Sequence, residues 1–149
     1  MTTLRGTERG EPAAEATPSA DEAIVMAVKG AQLPIVISDA RRFDQPIVFA
    51  NPAFLALTGY QEAEVVGRNC RFLQGPETSP DTVEEIRRAL AAGQPAAVEI
   101  VNYRKDGGRF WNALHISPVR NASGEVDGIF VLVTDVTQRA RAEAQEARS

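Results

Sequence analysis

Residues 97–118 read Ala97-Val98-Glu99-Ile100-Val101-Asn102-Tyr103, Arg104-Lys105-Asp106-Gly107-Gly108, then Arg109-Phe110-Trp111-Asn112-Ala113-Leu114-His115-Ile116-Ser117-Pro118. Two β-rich runs, Ala97–Tyr103 and Arg109–Pro118, flank Asp106-Gly107-Gly108, the turn chemistry of a hairpin. A second turn over Asn121–Gly124 leads to a third run, Gly128–Thr134. Two earlier β-branched runs, Pro34–Ser38 and Pro46–Phe49, are joined by the turn-like stretch Phe43-Asp44-Gln45-Pro46. Between these groups lie helix signals. Asn51 caps a helix that has Pro52 at its first position and Phe54, Leu55 and Leu57 inside it, and Gly59 stops it. A short helix is expected over Glu62–Val66. Ser79-Pro80-Asp81 opens another, with Val83, Ile86 and Leu90 along one face and Gly93 ending it. Two strands, several short helices, then three strands predict an α+β domain: an antiparallel sheet covered on one face by helices, with a pocket between the layers.

The ends differ from this core. Residues 1–20 carry almost no large apolar side chain and are expected to be a disordered tail, since they cannot bury enough surface to offset their ordering entropy. Asp21 and Glu22 open an N-terminal helix expected over 21–32, with an Ile24, Val25, Val28 stripe. After a core over 33–137 the chain turns Ala-, Arg- and Glu-rich, which predicts a polar helical extension over 138–149 without a strong apolar seam.

Composition limits the function classes. The chain has 149 residues, 44% hydrophobic and 24% charged, so one domain with a real core is expected. A net charge of −4 argues against a basic nucleic-acid footprint or a polybasic membrane anchor. The longest apolar runs, Ala23–Val28 and Ile129–Val133, fall well short of the ~20 residues of a membrane span. There is no apolar signal-peptide segment at the N-terminus, and a reducing cytoplasmic compartment is expected. One cysteine excludes an internal disulfide, and one histidine argues against a zinc site.

Period-2 alternation places two polar residues among apolar ones. Asn102 shares a face with Val98 and Ile100; Asn112 shares one with Leu114 and Ile116. Either each carboxamide bonds backbone or water inside a packed core, or both address the polar edge of a planar ligand, for which their donors and acceptors suit a pyrimidine-dione. Cys70, beside Arg68, Asn69 and Arg71, reads either as a small buried hydrophobe or as a thiol activated by a cation. Arg71 and Arg87 read either as solvated surface groups or as a phosphate clamp.

The string Gly67-Arg68-Asn69-Cys70-Arg71-Phe72-Leu73-Gln74-Gly75-Pro76 resembles the signature of the light-oxygen-voltage (LOV) domains, a flavin-binding branch of the PAS superfamily. Asn102–Gly107 and Phe110-Trp111-Asn112 resemble that family's next two blocks, and the likeness covers roughly residues 33–137. It implies a PAS-type five-stranded antiparallel sheet and a blue-light photoreceptor that is not an enzyme. It also implies noncovalently held flavin mononucleotide (FMN) and a reversible cysteinyl-flavin adduct. By motif match, Cys70 is the adduct-forming thiol, Arg71 and Arg87 hold the phosphate, Asn69 and Gln74 meet the ribityl chain and ring edge, and Asn102 and Asn112 bond the pyrimidine edge. Val36, Leu73, Val83, Ile86, Leu90, Leu114, Ile116 and Ile129 wall the ring, with Ser38, Val131 and Val133 also at the flavin.

One position departs from the pattern. The family usually carries a glutamine two residues before the Asp of an Asp-x-Thr exit motif. Anchored on Asp135-Val136-Thr137, that place holds Val133, and no glutamine occurs from Val131 to Thr134. A valine cannot hydrogen-bond, so the usual relay from the flavin nitrogen needs another donor, water or a steric route. Only twelve residues follow Thr137, too few for an effector domain, so the likeness is to short LOV proteins, with the flanking helices read either as dimerisation elements or, for the N-terminal one, as packed on its own sheet. A ligand-free PAS interaction module is the alternative reading. A flavoenzyme is disfavoured by the lack of a Gly-x-Gly-x-x-Gly fingerprint. A haem sensor is disfavoured because His115 falls on the opposite strand face from Asn112.

Overall fold

The computed structural model describes residues 32–148. The tail expected over 1–20, and the helix expected over 21–32 apart from Gln32, lie outside the described residues.

β-branched residues form β1 (Ile35–Asp39) and β2 (Ile47–Ala50), an antiparallel pair with an irregular register between Ile37 and Ser38. Asn51 then ends β2 and starts α1 (Pro52–Thr58). Its side-chain oxygen accepts the Phe54 N–H, Pro52 occupies the first turn, and Gly59, at φ 82°, returns its N–H to Leu55 O. The same Asn51 oxygen accepts the Ile35 N–H, and its amide donates to Leu33 O, so one capping residue also sews α1 to β1. α2 is a single turn, Glu62–Val65. A 3-10 turn over Cys70–Leu73 follows, capped by the Asn69 side chain on the Arg71 N–H. α3 (Pro80–Ala91) starts from Ser79, with Pro80 and Asp81 in its first turn.

The sheet is completed by β3 (Ala96–Tyr103), β4 (Arg109–Arg120) and β5 (Val126–Leu132). Every pairing is antiparallel, and the order is β2-β1-β5-β4-β3. The β3–β4 turn is as the sequence predicts: Gly107 has φ 89°, and Asp106 Oδ1 accepts the Gly108 N–H at 2.8 Å. Thr137–Arg148 forms the closing helix, α4.

Two strands differ from expectation by more than one residue. β4 runs past Pro118 to Arg120 because it stays paired with β5 as far as Arg120 opposite Val126, while β3 ends opposite Ile116 and leaves the other side of β4 an edge, where a proline is tolerated. β5 begins and ends two residues early. Its start is fixed by Val126 pairing with Arg120, and beyond Leu132 the regular ladder gives way to single bonds: Val133 N–H to Pro34 O, Ala113 N–H to Thr134 O, and Thr134 N–H to the Asn112 side chain.

The core lies between one sheet face and the short helices. Val36, Ile47, Phe54, Val65, Phe110, Ile116, Ile129, Val131 and Val133 are buried in it, and Cys70, Phe72, Ile86, Leu90 and Leu114 pack against it. Gly75 is required for close approach. A Cβ there would lie 2.4 Å from the Tyr103 ring, whose hydroxyl accepts the Glu77 N–H.

Candidate functional site

A cavity of about 110 Å³ lies between the sheet and the helical layer, room for several waters. The strands supply its apolar floor: Val36 on β1, Ile100 on β3, Leu114 and Ile116 on β4, Ile129 and Val131 on β5, and Val133 just beyond. Phe54, Leu73, Ile86 and Leu90 come from the helical layer. Polar atoms enter from Ser38, Gln45, Asn69, Cys70, Arg71, Gln74, Asn102 and Asn112.

The two asparagines form one unit. Register places Asn112 opposite Ile100 and Asn102 opposite Phe110, so they are diagonal neighbours on the inner face. Asn112 Nδ2 donates to Asn102 Oδ1 at 2.9 Å, and both residues are buried. Asn112 Oδ1 accepts the Thr134 N–H, and Asn102 Nδ2 reaches only the adjacent Val101 carbonyl, at 3.2 Å. A carboxamide has two N–H donors and an oxygen with two lone pairs, so each retains bonding capacity beside the cavity. Gln74, on the same wall, has no side-chain partner among the described residues. Both readings of the asparagines are therefore partly met: the pair is internally bonded, and it still offers an amide edge inward.

Cys70 begins the 3-10 turn, half-buried, with Sγ 4.0 Å from Ser38 Oγ. Burial pushes its pKa up to about 11, slightly opposed by the Ser38 contact. The neighbouring arginines do not activate it. Arg68 stacks 4.4 Å over the Phe72 ring, and Arg71 turns to Asp44. Burial therefore favours the thiol over the thiolate, which works against ground-state nucleophilic chemistry.

At the edge of the cavity, Arg71 Nη2 donates to Asp44 Oδ2 at 2.5 Å, and Asn69 Nδ2 donates to Asp44 O at 2.7 Å. Asp44 and Gln45 have φ of 64° and 48°, two consecutive non-glycine residues in the left-handed region. Such conformations cost roughly 1–3 kcal/mol each and persist when their surroundings over-determine them. Here Asn69 holds the loop by its backbone and Gln45 reaches the cavity wall.

Sixteen residues expected at the site line this cavity: Cys70, Val36, Ser38, Asn69, Arg71, Leu73, Gln74, Ile86, Leu90, Asn102, Asn112, Leu114, Ile116, Ile129, Val131 and Val133. Two expected there do not. Val83 is half-buried, but the Val83–Leu90 stripe is about 10 Å long and the cavity meets only its later half. Arg87 follows Ile86 by one residue, about 100° round the helix, and points to Glu84, which it grips at 2.9 and 2.5 Å. Gln45, Phe54 and Ile100 line the cavity without having been expected among the site residues. Ile100 shared the inward face of Asn102 and was recognisable, whereas Gln45 depends on a loop conformation that no local pattern shows.

The PAS domain family profile matches residues 33–138. A blue-light-activated histidine kinase of Rhizobium johnstonii is 51% identical over 126 residues, 85% of this chain and 36% of that protein. The chain therefore spans well under half the length of that curated relative. A light-oxygen-voltage domain, solved in work on a flavin analogue and domain mechanism, superposes with a TM-score of 0.76 at 44% identity, covering 87% of this chain and 98% of that one. An RNA-binding light-oxygen-voltage receptor superposes with a TM-score of 0.81 at 39% identity, covering 90% of this chain and 40% of that one.

Proposed function

Because the chain belongs to the PAS domain family, and within it to the light-oxygen-voltage domains, we propose that it is a blue-light sensor that holds FMN between its sheet and helices and registers light by covalent capture through Cys70. The observation that carries this reading is a thiol on the wall of an apolar cavity that also presents a buried asparagine pair. An amide edge, apolar walls and a cation at the rim suit a planar ligand with an imide at one end and an anion at the other.

The residues present fit a flavin. Asn102 and Asn112 would bond the pyrimidine edge with their remaining donors and acceptors, Asn69 and Gln74 the ribityl hydroxyls, and Arg71 the phosphate. Val36, Leu73, Ile86, Leu90, Leu114, Ile116 and Ile129 would exclude water from the ring, beside Ser38, Val131 and Val133. When bound, the flavin supplies blue absorption and, on excitation, a ring carbon and nitrogen able to take up a thiol's sulfur and proton. The protein's part is placement and enclosure. Burial keeps Cys70 protonated in the dark, so reaction waits for light, and the 3-10 turn capped by Asn69 fixes where its sulfur points.

Output would pass to the flanking helices, by altered packing or homodimerisation. Trp111 N–H donates to Thr137 Oγ1 and Arg104 to Asp135, which ties the first turn of α4 to β4 and to the β3–β4 turn. We read this stretch as a sensor without turnover of its own; kinase activity belongs to the relative named above. We propose a cytoplasmic placement; among the described residues no helix is long and apolar enough to cross a membrane.

An absorption spectrum of the purified chain, in darkness and after blue illumination, tests the reading. Bound flavin whose blue band bleaches and returns in the dark is expected; a folded, colourless protein would favour a ligand-free interaction module instead. A second measurement concerns Val133, which is 1% exposed and on the cavity wall. Val133→Gln would place an amide donor there, and the blue band is expected to move to longer wavelength. An unchanged spectrum in a flavin-loaded variant would count against Val133 as the relay position.

A further inference from the structure

The Asp44–Arg71 pair lies at the cavity rim, with the two side chains 42% and 58% exposed. An ion pair that open to water contributes little to stability. The loop does not depend on it either, because Asn69 Nδ2 holds the Asp44 backbone carbonyl independently of the carboxylate. What the carboxylate does is occupy the guanidinium. Arg71 is the only cationic side chain on the cavity wall among the described residues, and Asp44 already neutralises it.

We propose that Asp44 is a specificity-determining residue: by sharing Arg71 with the terminal anion of the ligand, it lowers the preference of the site for a phosphorylated flavin over an unphosphorylated one. This rests on the flavin reading above. Two anions contesting one guanidinium repel each other, so a phosphate arriving at Arg71 must either displace the carboxylate or bind beside it. Riboflavin has no such anion. It meets the same asparagine pair and apolar walls and is indifferent to the charge on Asp44. The left-handed backbone at Asp44 makes the point testable, because asparagine tolerates that conformation as well as aspartate does and can still accept from Arg71. Asp44→Asn thus removes the charge and leaves the loop.

The experiment is a fluorescence titration of FMN and of riboflavin into the full chain freed of flavin, at low ionic strength where screening is weak. For Asp44→Asn we expect FMN to bind about tenfold more tightly, with riboflavin affinity unchanged. Arg71→Gln is expected to do the reverse to FMN and again to leave riboflavin alone. The inference is overturned if Asp44→Asn leaves the ratio of the two affinities where it was, or weakens both flavins together, as a purely structural latch would. Failure of the parent chain to bind either flavin would overturn instead the reading on which it rests.

Discussion

Cys70→Ala is expected to keep its flavin, yellow and fluorescent, and to lose all reversible bleaching under blue light. Cys70 is the only cysteine in the chain, so no second thiol can substitute. It contributes little to holding the ligand, which meets the asparagine pair, Gln74 and the apolar walls, so binding should survive. A thiol pushed up to about 11 is inert until excitation changes its partner. The same property predicts the dark behaviour of the parent chain freed of flavin: alkylation by a thiol reagent should stay slow through neutral pH and rise only as pH approaches about 11. The unfolded thiol ionises first, near 9, so stability is full below that pH and falls as pH rises towards the folded value. Cys70→Ala should flatten that alkaline decline. Bleaching with full dark recovery in the variant would overturn the role given to this sulfur.

The second large effect is expected from Asn112→Leu. Asn112 is fully buried; its oxygen accepts the Thr134 N–H and its amide donates to Asn102 Oδ1. Leucine has similar bulk and neither function. It orphans two polar groups, each at about 1–3 kcal/mol, so a loss of about 3 kcal/mol in unfolding free energy is expected. Flavin affinity should fall more than tenfold, since the amide edge is halved and the remaining carboxamide loses its anchor. Urea unfolding and flavin titration measure the two effects separately. A variant within about 0.5 kcal/mol of the parent, the range of ordinary surface substitutions, would mean the pair is not structurally coupled.

Much of this site was legible because its signals are short in sequence. Alternation along 97–103 and 109–118 turned Asn102 and Asn112 inward, and the asparagine and proline at 51–52 and the serine and proline at 79–80 marked two helix starts that the structure keeps. Alternation could not say that the asparagines bond each other, because a diagonal pair follows from strand register, which the hairpin closes only after both strands exist. The stripe through Val83, Ile86 and Leu90 identified the buried side of α3. It could not say how far along the helix the cavity reaches: Ile86 and Leu90 line it, while Val83 does not and Arg87 pairs with Glu84.

The sequence by itself determined the elements, their inward faces, the α+β grouping and the cysteine worth testing, because caps, turns and periodicities are settled between residues a few positions apart. Tertiary structure decided the rest: the strand order β2-β1-β5-β4-β3, the Asn112 bond to Thr134 across 22 residues, and the turning of Arg71 to Asp44 across 27. It also decided the burial that favours the Cys70 thiol over the thiolate, because that balance rests on how much water and charge the surrounding elements leave near its sulfur, and no local run of residues contains them.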